Sequence, residues 1–191
     1  MVTGLGLLLV LTDRTQAARP LPEVVRAAVA AGARTVILRE KDLPAAERIG
    51  LGETLREIVE PAGGTLIGAG NQRVHLAAAD PLPDPRPLLV GRSCHDEAEL
   101  DRAAAESVDY VTCSPVFPSR SKPGYGPALG LTGLGALCRR TPVPVYALGG
   151  VTAPTARWCC DSGAAGVAVM GGIMRAPDPA AAVAAILAAL R

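Results

Sequence analysis

The sequence predicts an α/β fold: a single compact (β/α)₈ (TIM) barrel over residues 1–191, with reduced helices around the third and fourth strands. Three observations predict it. Short continuous apolar runs alternate with amphipathic, Ala-rich stretches, the pattern of parallel strands covered by helices. Eight such runs are present, enough to close a sheet into a barrel, although periodicity alone also allows a doubly wound sheet. The 191 residues, 49% hydrophobic, supply one core and not two. About 250 residues is usual for such a barrel, so a trimmed one is expected.

The first strand is read at Leu7 to Thr12, followed by apolar residues at helical spacing from Leu21 to Ala31, ending at Gly32. A second strand, Thr35 to Leu38, precedes a helix from Ala45 to Val59 that Pro61 and Gly63-Gly64 stop. Thr65 to Gly68 is the third strand and Val74 to Leu76 the fourth. Only about five residues separate them, where a parallel return normally takes a dozen or more. The next stretch, 80–87, holds four prolines, too many for a normal helix. Two helices should therefore be lost or shrunk between Gly68 and Pro87. Regular alternation then resumes: strand Leu88 to Gly91, helix Glu97 to Glu106, strand Tyr110 to Cys113 and helix Thr132 to Arg139. Strand Val143 to Leu148, helix Pro154 to Asp161, strand Gly166 to Met170 and helix Pro179 to Leu190 complete the set.

The composition excludes several classes. A net charge of +1 gives no general attraction for nucleic acid or anionic lipid, and 3% aromatics give no stacking platform for bases. Five cysteines, an odd number without a CxxC pair, indicate neither a disulfide framework nor a zinc site. Reduced thiols fit a cytoplasmic protein. The apolar start lacks a basic flank and reads as a strand, not a signal peptide, and no run is long enough to span a membrane. The sequence leaves the oligomeric state open, a homo-oligomer included.

In barrels, chemistry sits at the C-terminal ends of the strands. Those ends supply Asp13, Arg39 and Lys41, Ser93 and His95, Ser114, Gly149-Gly150 and Gly171-Gly172. The two glycine pairs follow the seventh and eighth strands, where barrels recurrently hold phosphate. Either pair alone would be a tight turn. Strand alternation aims Arg39 and Lys41 to one side and Glu40 and Asp42 to the other, so the run is more than a solvated cluster. The basic, hydroxyl-rich segment 118–126 follows the sixth strand and suits a cover over an anion. His95 stands at the rim, where an imidazole can exchange protons near neutral pH. His75 lies within an apolar strand and reads as a wall residue. Trp158 and Cys159-Cys160 read as packing.

Several of these residues fall into motifs: Leu38-Arg-Glu-Lys-Asp42, Gly91-Arg-Ser-Cys-His95, Asp109-Tyr110-Val111, the stretch Ser114 to Lys122, Ala147-Leu-Gly-Gly-Val151, and Gly163 to Met170. In this order they resemble the thiamine phosphate synthase/TenI family of vitamin B1 enzymes. A thiamine phosphate synthase joins hydroxymethylpyrimidine diphosphate to thiazole phosphate and releases pyrophosphate. The resemblance implies diphosphate binding by Arg39, Lys41, Ser119, Ser121 and Lys122, with Lys122 acting in catalysis. It implies a pyrimidine contact at Ser93 and a thiazole phosphate site at Gly149, Gly150, Met170, Gly171 and Gly172. The family's glutamine falls on Ile37 and its Asn-Asp pair on Asn71-Gln72, so one Mg²⁺ carboxylate is missing. Asp80 stands at the spacing of the other. The sister group, TenI-like thiazole tautomerases, needs no metal and moves a proton with the histidine that matches His95. The absent glutamine and aspartate favour the tautomerase, while the retained hydroxyl-Lys segment favours the synthase and its Mg²⁺. A non-catalytic binder of a phosphorylated thiazole is the third alternative.

Overall fold

The computed structural model describes residues 4–119 and 127–191. The eight strands are β1 (Leu8–Leu11), β2 (Thr35–Ile37), β3 (Thr65–Ile67), β4 (Arg73–Leu76), β5 (Leu89–Cys94), β6 (Tyr110–Cys113), β7 (Val145–Leu148) and β8 (Gly166–Val169). They pair in parallel in the order β3-β2-β1-β8-β7-β6-β5-β4. One backbone bond joins the two ends, from Gly68 N–H to the Arg73 carbonyl at 2.8 Å, so the barrel is nearly closed.

That bond explains the short return. Gly68 follows the last residue of β3, and Arg73 is the first of β4. The fourth strand begins at the level where the third ends, so the chain need not run back along the barrel. No helix lies between β3 and β4 or between β4 and β5.

Elsewhere the strands are followed by α1 (Leu21–Ala30), α2 (Ala45–Val59), α3 (Glu97–Ala105), α4 (Gly130–Arg140) and α5 (Ala153–Asp161). A four-residue helix, α6 (Gly171–Met174), comes directly after β8, ahead of α7 (Pro179–Ala189). Two cores result, as strand alternation requires. The outer one packs helices on the sheet through residues such as Val10, Val36, Val90, Val111 and Val167. The inner one fills the barrel with Leu9, Leu11, Ile37, Ile67, Tyr110, Tyr146 and Ala168.

The largest difference from the sequence reading is at β5, while β7 opens at Val145 rather than Val143. β5 continues past Gly91 to Cys94 and excludes the exposed Leu88, so Ser93 stands within the strand rather than after it. Val90 and Cys94 face the outer core, which directs Gly91 and Ser93 inward and buries the Arg92 guanidinium outside. No helix among the described residues is long and apolar enough to cross a membrane.

Candidate active site

A cavity of about 850 Å³ opens at the C-terminal ends of the strands. Its wall gathers Arg39, Lys41, Ser93, His95, Ser119, Gly149, Gly150, Met170, Gly171 and Gly172 from five different strand ends. His75 from β4, Arg48 from α2 and Arg175 from the end of α6 join them. Among the described residues the lining carries four Arg or Lys side chains and no carboxylate. Ser121 and Lys122 lie outside the described residues.

The charged run after β2 divides by alternation. The Arg39 amide donates to Thr12 Oγ1 at 3.0 Å, and its guanidinium reaches Met170 Sδ at 3.2 Å. Glu40 turns away, buried, and accepts from the Arg14 amide at 3.1 and 3.2 Å. Asp42 pairs with Arg14 at 2.7 Å. The acidic members thus serve the β1 loop and leave both cations to the cavity.

His75 bridges the barrel interior. Its Nδ1 lies 3.0 Å from Tyr110 Oη and its Nε2 3.0 Å from Ser93 Oγ. Burial, together with Arg39, Lys41 and Arg92, lowers its pKa to about 3. Burial, aided by Tyr146 and Asp109, raises the Tyr110 phenol, which stays protonated. The phenol can then donate to Nδ1, so that Nε2–H donates to Ser93 and leaves the serine proton for a ligand. Tyr110 fits because its ring occupies the space where a Cβ on Gly91 would stand. Sequence reasoning took His75 for wall packing, yet it both packs and lines the cavity. The pattern held a clue: Val74 and Leu76 face the outer core, which turns His75 inward.

At the rim, His95 is held by Glu99. One carboxylate oxygen accepts from the His95 amide at 2.7 Å and sits 2.9 Å from Nδ1. Asp96 caps α3 by accepting from the Glu99 amide at 2.8 Å, which fixes the glutamate in turn. The carboxylate favours the Nδ1–H tautomer and places the imidazole lone pair on Nε2.

Gly149 and Gly150 have φ of +94° and +65°. A Cβ on Gly150 would come within 2.5 Å of the Pro118 carbonyl, so only glycine lets the β7 turn meet the loop after β6. The Met170-Gly171-Gly172 turn opens α6 beside it.

A profile described as thiamine monophosphate synthase matches residues 7–173. The chain belongs to the thiamine monophosphate synthase family. This family places it among the enzymes of thiamine biosynthesis. A protein of Geobacter sulfurreducens named putative thiamine-phosphate synthase is 37% identical, over 96% of this chain and 93% of its own. A thiamine-phosphate synthase of Roseiflexus castenholzii is 36% identical, over 96% and 88%. The solved thiamine phosphate pyrophosphorylase from Pyrococcus furiosus superposes with a TM-score of 0.84 at 27% identity, covering 96% of this chain and 94% of that one.

Within this family site, Asp80 is the residue the resemblance offers to Mg²⁺. Its Oδ2 accepts from the Ala77 amide at 2.8 Å and lies 3.8 Å from Lys41 Nζ. It is not part of the cavity lining, and no group of three His, Cys, Asp or Glu among the described residues could hold a metal. Mg²⁺ prefers near-octahedral oxygen ligation. The described residues do not fit a Mg²⁺ site of the protein's own making.

Proposed function

We propose that the chain is a thiamine-phosphate synthase, joining hydroxymethylpyrimidine diphosphate to thiazole phosphate with release of pyrophosphate. The observation that carries this reading is the charge of the cavity: Arg39, Lys41, Arg48 and Arg175 line it, with no acidic residue among the described lining. The two substrates bring a diphosphate and a phosphate into one site. A tautomerase substrate brings a single phosphate and a carboxylate. Four cations suit the larger anionic load. Relatives named thiamine-phosphate synthase over nearly the full chain support the same reading. It reverses the preference for a tautomerase drawn from the absent glutamine and aspartate.

In this reading the diphosphate lies against Arg39 and Lys41 and the segment bearing Ser119, Ser121 and Lys122. The thiazole phosphate meets the backbone amides of Gly149-Gly150 and the turn at Met170, Gly171 and Gly172. The pyrimidine faces Ser93, oriented by His75. The bond from the pyrimidine methylene carbon to the diphosphate oxygen breaks, and the thiazole nitrogen's lone pair forms the new carbon–nitrogen bond. No proton needs to move. The protein's task is to stabilise charge gathering on the departing pyrophosphate, which falls to Lys122 and its neighbouring cations.

One observation favours the tautomerase as a second reading: Glu99 holds the His95 ring in place at the rim, its carboxylate 2.9 Å from Nδ1, as an acid/base residue requires. Two variants separate the readings. For a synthase, Lys122→Ala should lower pyrophosphate release by about 10²-fold or more, while His95→Asn costs only a few-fold. For a tautomerase acting on thiazole carboxylate phosphate, His95→Asn should cost about 10² to 10⁴ in turnover and Lys122→Ala little. The second pattern would reject the synthase.

A further inference from the structure

We propose that Arg175 is a phosphate-binding residue at the β8 rim, adding a full charge to the backbone amides of the Met170-Gly171-Gly172 turn. The inference rests on the placement of the thiazole phosphate at that turn.

Arg175 caps α6, its amide donating to the Gly171 carbonyl at 3.1 Å. Its side chain folds back over the turn instead of leaving for solvent. The guanidinium lies against Gly171, in the space a Cβ there would fill, and lines the cavity. Gln16 holds it there: the guanidinium donates to Gln16 Oε1, and Gln16 Nε2 donates to Asp13 Oδ2 at 2.5 Å. Gln16 is a neutral amide, so it orients the guanidinium without cancelling its charge. On the other side of the turn, Arg39 reaches Met170 Sδ at 3.2 Å. Two guanidinium groups therefore flank one glycine turn.

Backbone amides offer an anion partial charges, whereas a guanidinium offers a full charge and paired donors that match phosphate oxygens. Arg175 would thus make the site select a phosphorylated thiazole over the free alcohol. The smallness of residue 171 is part of the device, because any side chain there must push the guanidinium away.

Calorimetric titration of the full chain tests this, with inorganic phosphate, thiazole phosphate and pyrophosphate as separate probes. Arg175→Gln should weaken phosphate and thiazole phosphate by about 10- to 100-fold, the usual loss for a charge-assisted bond, and pyrophosphate much less. Gly171→Ala should weaken the same two probes by displacing the guanidinium. Added to Arg175→Gln, it should cost nothing further, since both changes remove one interaction. In turnover, Arg175→Gln should raise KM for thiazole phosphate while leaving kcat and the KM of the pyrimidine diphosphate near parental values. Parent protein that binds thiazole phosphate, with Arg175→Gln binding it equally well, would overturn the inference and leave the phosphate site standing. Phosphate binding that depends on Arg175, in a parent that ignores thiazole phosphate, would uphold the inference and overturn the thiazole reading. A parent that binds neither probe would overturn both.

Discussion

With Tyr110 on one ring nitrogen and Ser93 on the other, His75 has a hydrogen-bond partner for each side of its neutral form, and burial beside Arg39, Lys41 and Arg92 holds its pKa down to about 3. In the unfolded chain an ordinary histidine titrates near about 6.5. Between those two values the unfolded chain takes up a proton that the folded protein refuses. Stability from this residue is therefore fully present above about 6.5 and declines as pH falls from there towards the folded value. His75→Gln removes the titrating group while keeping polar atoms near both partners. Urea unfolding at pH 7 and pH 5 should show the parent losing more stability between the two than the variant does. Equal losses would contradict the burial and tautomer assigned to His75. The residue scale also shows where sequence reading stops. His75 was open to the alternation rule, since its neighbours Val74 and Leu76 face outward. Arg48 and Arg175 were not, because each reaches the cavity from a helix rather than from a strand end.

Among the elements, the quarter without helices is stapled by two arginines, the buried Arg92 and the exposed Arg102. Arg92 points outward from β5 into the layer that a helix would otherwise cover, and it is wholly buried. Its guanidinium donates to the carbonyls of Ala77, Ala78 and Asp80 at 3.0, 3.1 and 2.7 Å, and to Glu106 at 2.5 Å. The proline-rich stretch cannot satisfy those carbonyls within a helix, so Arg92 does, joined by Arg102 at the Ala78 and Asp80 carbonyls at 3.2 and 3.1 Å. Burial pushes the Glu106 carboxyl up, but hydrogen bonds and charge from Arg102 and Arg92 outweigh it and hold the group ionised. Arg92→Met keeps length and volume but removes the buried donor shared by three carbonyls and Glu106, leaving Ala78, Asp80 and Glu106 to the exposed Arg102. It should cost about 1.5–3 kcal/mol in urea unfolding, the range for losing hydrogen bonds to a charged group while a second cation still pairs with the carboxylate. A loss under about 1 kcal/mol would show that the 77–80 turn holds itself. The missing helices were legible from the prolines and the short spacing. The staple was not, because bare carbonyls have no sequence signature and β5 reads as ending at Gly91. The helix α6 was equally hidden: four residues are too few to show a period.

At the scale of the whole molecule, a chain with a net charge of only +1 concentrates four cations on one cavity wall. Apart from Asp80 beside Lys41, the barrel achieves this by using its acidic residues away from those cations: Glu40 on the Arg14 amide, Glu99 on His95, Glu106 on Arg92 and Arg102. Overall composition could not reveal the segregation, since it emerges only when strand ends distant in sequence converge. It is the central physical reason for assigning two phosphorylated substrates to one site. The most direct test is to incubate the purified protein with hydroxymethylpyrimidine diphosphate and thiazole phosphate, and to follow thiamine phosphate by mass spectrometry alongside pyrophosphate. The account predicts both products in equal amounts, absent when either substrate is withheld. No thiamine phosphate from that mixture, with thiazole carboxylate phosphate converted in a parallel reaction, would contradict it.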